Sequence, residues 1–142
     1  METHFTIPGK PQGKARPRVR HDGHTYTPTQ TAQYEELVRF CWRCAGAVKL
    51  DGAISALILA RCPVPKRDSK KTQDAKIVGE IPCTIKPDCD NIAKIVLDAL
   101  NGLAYDDDSQ VTELKVHKLY GDIGDVFVRF EEIKEEKNEN KA

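Results

Sequence analysis

Lys86-Pro87-Asp88-Cys89-Asp90-Asn91-Ile92-Ala93-Lys94-Ile95-Val96-Leu97-Asp98-Ala99-Leu100-Asn101-Gly102-Leu103-Ala104-Tyr105-Asp106-Asp107-Asp108-Ser109-Gln110-Val111 is the stretch from which the rest of the chain can be read. It opens on a break, because a proline ring fixes its own φ and restricts the residue before it. From about Asp90 to Asn101, Ile92, Ile95, Val96 and Ala99 recur at helical spacing, a face that Leu103 extends. Gly102 stands where a C-terminal cap would sit. Acids flank this helix on both sides: Asp88 and Asp90 at its mouth, Asp107 and Asp108 just past its end.

On the C-terminal side, Val111 to Leu119 alternates, with Leu114 and Val116 on one face and Glu113, Lys115 and His117 on the other. Asp125 to Ile133 alternates through Val126, Val128 and Phe130, and Gly121–Gly124 turns between the two strands. Residues 134–142 form a charged tail expected to fray. On the N-terminal side, residues 4–8 read as a short strand, and Gly9 to Arg20 is a loop rich in Gly, Pro and basic residues. Val19 to Tyr26 reads as a small hairpin, Asp22-Gly23 suiting a type I′ turn. Tyr34, Leu37, Val38, Cys41, Cys44, Ala45 and Val48 predict a helix over roughly 30–47. Ala53 to Cys62 is a buried strand closed by Pro63 and Pro65, and Lys66 to Gly79 is either an exposed helix or a mobile loop. The order predicts an α+β fold: one two-layer domain over residues 1–133, a mixed β-sheet with two main helices.

At 142 residues, with 39% hydrophobic and 31% charged residues, the chain suits one core-bearing domain and excludes a disordered one. No apolar run approaches the roughly 18 residues of a membrane span, and the N-terminus lacks a signal peptide's apolar core, so a cytoplasmic protein is expected. Five cysteines are an odd count, which argues for reduced thiols. Cys41-Trp42-Arg43-Cys44 has the spacing of half a zinc site, but nothing completes it, and burial on one helical face is the simpler reading. Net charge is zero, yet Lys10, Lys14, Arg16, Arg18 and Arg20 form a run without acids. Arg61 to Lys76 carries six basic residues against Asp68 and Asp74. Two basic segments beside an acidic centre fit a polyanion processed at a metal, and equally fit solvated loops.

Mg²⁺ takes hard oxygen ligands from a few carboxylates, waters and substrate phosphates. If the helix and its return loop bring the acid clusters together, Asp88, Asp90 and the Asp107-Asp108 pair can hold one or two ions that clamp a phosphodiester. Lys94, one turn from Asp90, is placed either to reach the scissile phosphate or to make an i,i+4 ion pair. Asp98 continues that ladder and reads as structural. Helix capping is the alternative role for Asp88 and Asp90. Pro87-Asp88 with Glu113-Leu114-Lys115 also outlines the PD-(D/E)xK site of restriction-type nucleases, a duplex-cutting reading that leaves Asp90, Asp107 and Asp108 without roles.

The opening stretch resembles the RusA family of Holliday junction resolvases, which carry D-x-D-N…K…D-A-L…D-D-x-Q-V. Gly13-Lys14-Ala15-Arg16-Pro17-Arg18 and Tyr26-Thr27-Pro28 with Thr31, Tyr34 and Glu35 are similar to the N-terminal pattern of its bacterial and prophage members. The resemblance covers roughly residues 5–130. It implies Mg²⁺ held by Asp88, Asp90 and Asp108, with Lys94 as active-site lysine and Asp107 as a weaker candidate. Asp106 falls outside the motif and reads as a solvated turn residue. Some members have a basic residue directly before the first aspartate, where this chain has Pro87 preceded by Lys86. The resemblance also implies a homodimer that resolves four-way DNA junctions by paired symmetric nicks in recombination and repair, since a two-fold presents two sites to opposed strands. Phosphate contacts are expected from Lys10, Lys14, Arg16, Arg18, Arg20, Lys66, Arg67, Lys70, Lys71 and Lys86. A non-catalytic binder of branched DNA is the reading from another class.

Overall fold

The computed structural model describes residues 1–135; the expected tail therefore lies, from residue 136 on, outside the described residues. Its centre is β4 (Ile54–Pro63), where Ile54, Ala56, Ile58 and Ala60 all point into the core. Apolar side chains at alternate positions, isoleucine at two of them, suit a pleated, half-buried surface. β6 (Asp125–Glu132) pairs antiparallel with β4 and sends Val126, Val128 and Phe130 to the same side. β1 (Glu2–Pro8) runs antiparallel on the far side of β6, contributing Phe5 and Ile7. β5 (Val111–Gly121) pairs parallel with β4 and completes a four-stranded mixed sheet of order β1-β6-β4-β5.

Helices α1 (Thr29–Cys44) and α3 (Cys89–Ala99) cover the core side of the sheet. The α+β, two-layer expectation holds, with one more helix than the two expected: the ambiguous 66–79 segment contains α2 (Lys70–Ile77). Ser69 caps α2 by accepting a hydrogen bond from the Thr72 N–H (3.3 Å), and no residue of α2 is buried. It lies beside β5, the Lys76 ammonium 4.9 Å from the centre of the Tyr120 ring. An aromatic cluster ties the layers together. Phe5 and Trp42 meet edge-on at 5.8 Å, as do Tyr105 and Phe130, with Trp42 and Phe130 at 6.2 Å. Such pairs add about 0.5–1.5 kcal/mol each beyond burial.

Three local expectations are corrected. The buried face of α1 is Thr31, Tyr34, Val38 and Trp42; Leu37 and Cys41 are half-buried, while Cys44, Ala45 and Val48 are exposed. The helix ends at Cys44, so the chain turns away before the apolar spacing runs out. All five cysteines are free. β2 (Arg18–Val19) and β3 (Thr25–Tyr26) form the expected hairpin, but its turn is not type I′, since only Gly23 has positive φ (86°) and Asp22 does not. The Gly23 N–H donates to the Arg20 carbonyl (3.0 Å) and the Arg20 N–H to the His24 carbonyl (2.8 Å), giving a three-residue loop with glycine in the left-handed place. Finally, α3 stops at Ala99 with Leu100 as its cap, and Gly102 (φ 81°) reverses the chain so that its N–H bonds the Tyr105 carbonyl (2.8 Å).

Candidate active site

α3 is held on its apolar face, where Ile92, Ala93, Ile95, Val96 and Ala99 are buried. Two further bonds fix its C-terminal end: Arg39 donates to the Ala99 carbonyl (3.4 Å) and the Tyr105 hydroxyl to the Leu97 carbonyl (2.6 Å). Its polar face therefore carries Asp90, Lys94 and Asp98 at fixed spacing.

Asp88 occupies the N-cap position of α3 with an extended backbone, yet its side chain makes no capping hydrogen bond. An N-cap aspartate ordinarily accepts from the helix's free N–H groups, which stabilises by about 1 kcal/mol. Here the carboxylate stays exposed, next to Asp90 in the first turn. Capping is thus not what Asp88 does. Asp107, by contrast, is a cap: it accepts from the Ser109 N–H (3.1 Å) and forms a capping box with Gln110 on the 3₁₀ turn Asp108–Gln110. The Ser109 hydroxyl first, and then the Ser109 N–H, hold the Asp107 carboxyl below its usual range. Asp106 is ion-paired with Lys49 rather than merely solvated.

Asp108 is half-buried, its N–H donating to Asn101 Oδ1 (2.9 Å) and its carboxyl in hydrogen-bonding range of Asp98. Burial, then the neighbouring Asp98 and Asp107, push its pKa up. Asp98 is eight residues beyond Asp90 on α3, about 12 Å along the axis at 1.5 Å per residue. The carboxylates thus fall into two stations, Asp88 with Asp90, and the expected ligand Asp108 with Asp98, which was read as structural. Among the described residues, no three His, Cys, Asp or Glu side chains come close enough together to share a metal ion. Asp88 and Asp90 are hard oxygen donors that suit Mg²⁺ with water and phosphate completing its shell.

Lys94 is exposed and makes no ion pair among the described residues, so the i,i+4 pair with Asp90 is absent. A groove of about 460 Å³ beside Asp88 is lined by Lys10, Gly13, Lys14, Gln30, Lys86 and Asn91, among others. Arg16, Arg18 and Arg20 are exposed on the segment leading away from it. Lys66, Arg67, Lys70 and Lys71 are exposed before and at the start of α2, Lys70 pairing with Asp74 (3.0 Å). Lys14 is different: its ammonium lies 3.0 Å from Glu35 and 3.5 Å from Asp98. Sequence reasoning placed Asp98 in a helical ladder with Lys94 and gave Glu35 no role. The partner of both is in a loop remote in sequence, and no local spacing signals it.

The PD-(D/E)xK outline is not assembled. Glu113 and Lys115 pair with Ser55 and Leu57, whose neighbours Ala56 and Ile58 face the core. They project from the sheet face opposite the helices, whereas Asp88 sits in the helical layer.

Comparison with known proteins bears on this site. Residues 8–131 match the family model for endodeoxyribonuclease RusA. The chain is also 35% identical, over 135 residues, to a Bacillus subtilis (strain 168) protein designated "Uncharacterized protein YqaN". That match covers 91% of this chain and 95% of the other. A free carboxylate pair at a helix mouth, a basic groove beside it and a family match spanning both agree: this chain belongs to the RusA endodeoxyribonuclease family.

Proposed function

We propose that this chain is a Mg²⁺-dependent endonuclease that resolves four-way DNA junctions by paired symmetric nicks, acting as a homodimer in the cytoplasm. The observation that carries the reading is Asp88, an N-cap aspartate that does not cap. With Asp90 it offers two uncommitted carboxylates at the positive end of a helix, where negative charge is held at low cost. Bound there, Mg²⁺ would supply Lewis-acid stabilisation and an activated water.

The chain's own residues bind and orient the backbone. Lys10 and Lys86 line the groove next to Asp88, within reach of a phosphodiester entering it. Lys94, on the turn after Asp90 and unpaired among the described residues, is assigned to the developing charge on the phosphate. Asp108 is kept as the third acid, the residue at the second station that the family motif marks. Arg16, Arg18, Arg20 and the basic residues near α2 are assigned to the arms of the junction.

The decisive assay compares a four-way junction with a linear duplex of the same sequence, with Mg²⁺ and with chelator. Paired nicks in the junction alone, lost with chelator, are expected. Equal cutting of both substrates would overturn the junction reading. Binding without cutting would leave a branched-DNA-binding protein, and retained cleavage in Asp88→Asn would remove the metal assignment.

A further inference from the structure

The loop from Gly9 to Pro17 lies across α3. Gly13 is so close that a Cβ there would meet the Cβ atoms of Pro87 at 3.0 Å and Asn91 at 3.1 Å. The Lys14 N–H donates to the Asn91 carbonyl (3.2 Å), and the Ala15 N–H to Oγ1 of buried Thr31 on α1 (3.4 Å). From this fixed backbone the Lys14 side chain reaches Glu35 on α1 and Asp98 on α3 at once. The three side chains are 18%, 12% and 29% exposed, far less than a solvated surface pair. Asp98 in turn stands against Asp108. One lysine therefore touches both ends of α3: the first turn, next to Asp88 and Asp90, through its backbone, and the second station through its ammonium.

A phosphate would have to displace two carboxylates to claim that ammonium. We propose that Lys14 is a positioning residue for the acid site rather than a contact to DNA. Its ion pairs with Glu35 and Asp98 set the orientation of Asp98, and through it Asp108, while its main chain seats the turn that carries Asp88 and Asp90. The proposal rests on the nuclease reading given above.

The test uses Lys14→Ala, Glu35→Ala, the double variant and Lys14→Arg. Junction binding, its salt dependence and single-turnover cleavage at saturating junction are measured for each, and Mn²⁺ alone is titrated by calorimetry. Each single Ala variant is expected to lower the cleavage rate by about 10- to 100-fold, the range for outer-shell partners of a metal site. Junction Kd and salt slope should stay unchanged, the double variant should be no worse than either single one, and arginine should recover part of the loss. Lys14→Ala should also bind Mn²⁺ more weakly. Deleting a nearby positive charge would by itself tighten that binding, so the direction separates positioning from simple electrostatics.

If Lys14→Ala alone raises Kd and flattens the salt slope by about one unit, while Glu35→Ala is silent, Lys14 is a phosphate contact and the proposal falls. It falls equally if both variants only lower Tm and leave cleavage and Mn²⁺ binding intact. A wild-type protein that binds Mn²⁺ at Asp88, loses affinity in Lys14→Ala and yet cuts no junction would sink the junction reading and keep this one. Wild type that neither binds Mn²⁺ nor cuts DNA overturns both.

Discussion

Asp88, Asp107 and Asp108 show how three aspartates of one short region come to different roles. Because Asp88 makes no capping bond, Asp88→Asn is expected to change stability by no more than about 0.5 kcal/mol, as a neutral surface substitution does, while abolishing cleavage. Thermal melting alongside the junction assay checks both halves. Asp108 is expected to behave differently. Its pKa is raised in the fold, so its contribution to stability is full below the ordinary 3.8 and is lost as pH rises through the raised value. Asparagine stays neutral throughout. Asp108→Asn should therefore melt higher than wild type at neutral pH, with the gap closing as pH falls below 3.8. A gap that does not change with pH would count against this account. Residue types and spacing made these acids legible, because hard-ion chemistry needs carboxylates near a helix mouth. Which of them caps and which is free depends on side-chain direction, and spacing does not contain that. The Lys14–Glu35–Asp98 contact was illegible for another reason: it joins a loop to two helices far apart in sequence.

Among the elements, strongly periodic segments were the legible ones. β4, β6 and α3 bury one face each, so burial imprints a period of two or 3.6 on the sequence. α2 buries nothing and carries no such imprint, which is why helix and loop remained open for residues 66–79. The end of α1 was read too late, because Val48 keeps helical spacing after the helix has stopped. Backbone packing between elements was wholly hidden. At Gly124, a Cβ would lie 2.8 Å from Lys10 Cα and 2.9 Å from Lys10 N, and the Gly9 N–H donates to the Gly124 carbonyl (3.1 Å). Gly124→Ala must push main chain against main chain, and is expected to cost about 1–3 kcal/mol by urea denaturation. A neutral result would show that the turn before β6 can shift without disturbing the loop after β1.

For the whole molecule, a mixed sheet under helices followed from the element order, but the strand order did not: nothing local says that β6 goes between β1 and β4. Of the basic residues expected to contact DNA, Lys14 is sequestered in ion pairs, while Lys10, Arg16, Arg18 and Lys86 face solvent or the groove. Replacing Lys10, Arg16, Arg18 and Lys86 together by alanine should lower the slope of log affinity against log salt by roughly 0.9 for each duplex phosphate that is no longer neutralised. Adding Lys14→Ala to that set should lower it no further. An unchanged slope in the fourfold variant would move the DNA path elsewhere.

The place of β6 also governs when the protein can first act. β6 is the last strand in chain order among the described residues, yet it is a partner of both β1 and β4. On the ribosome, β1 emerges first and waits through more than a hundred residues for its neighbour. The shelf on which α3 rests is likewise missing Val126, Val128 and Phe130 until then. Nascent chains cut short before Asp125 carry Asp88, Asp90, Asp98 and Asp108 but lack the surface that orders them. On the function proposed above, such partial chains are expected to cut no DNA, which junction assays on chains truncated before Asp125 would check.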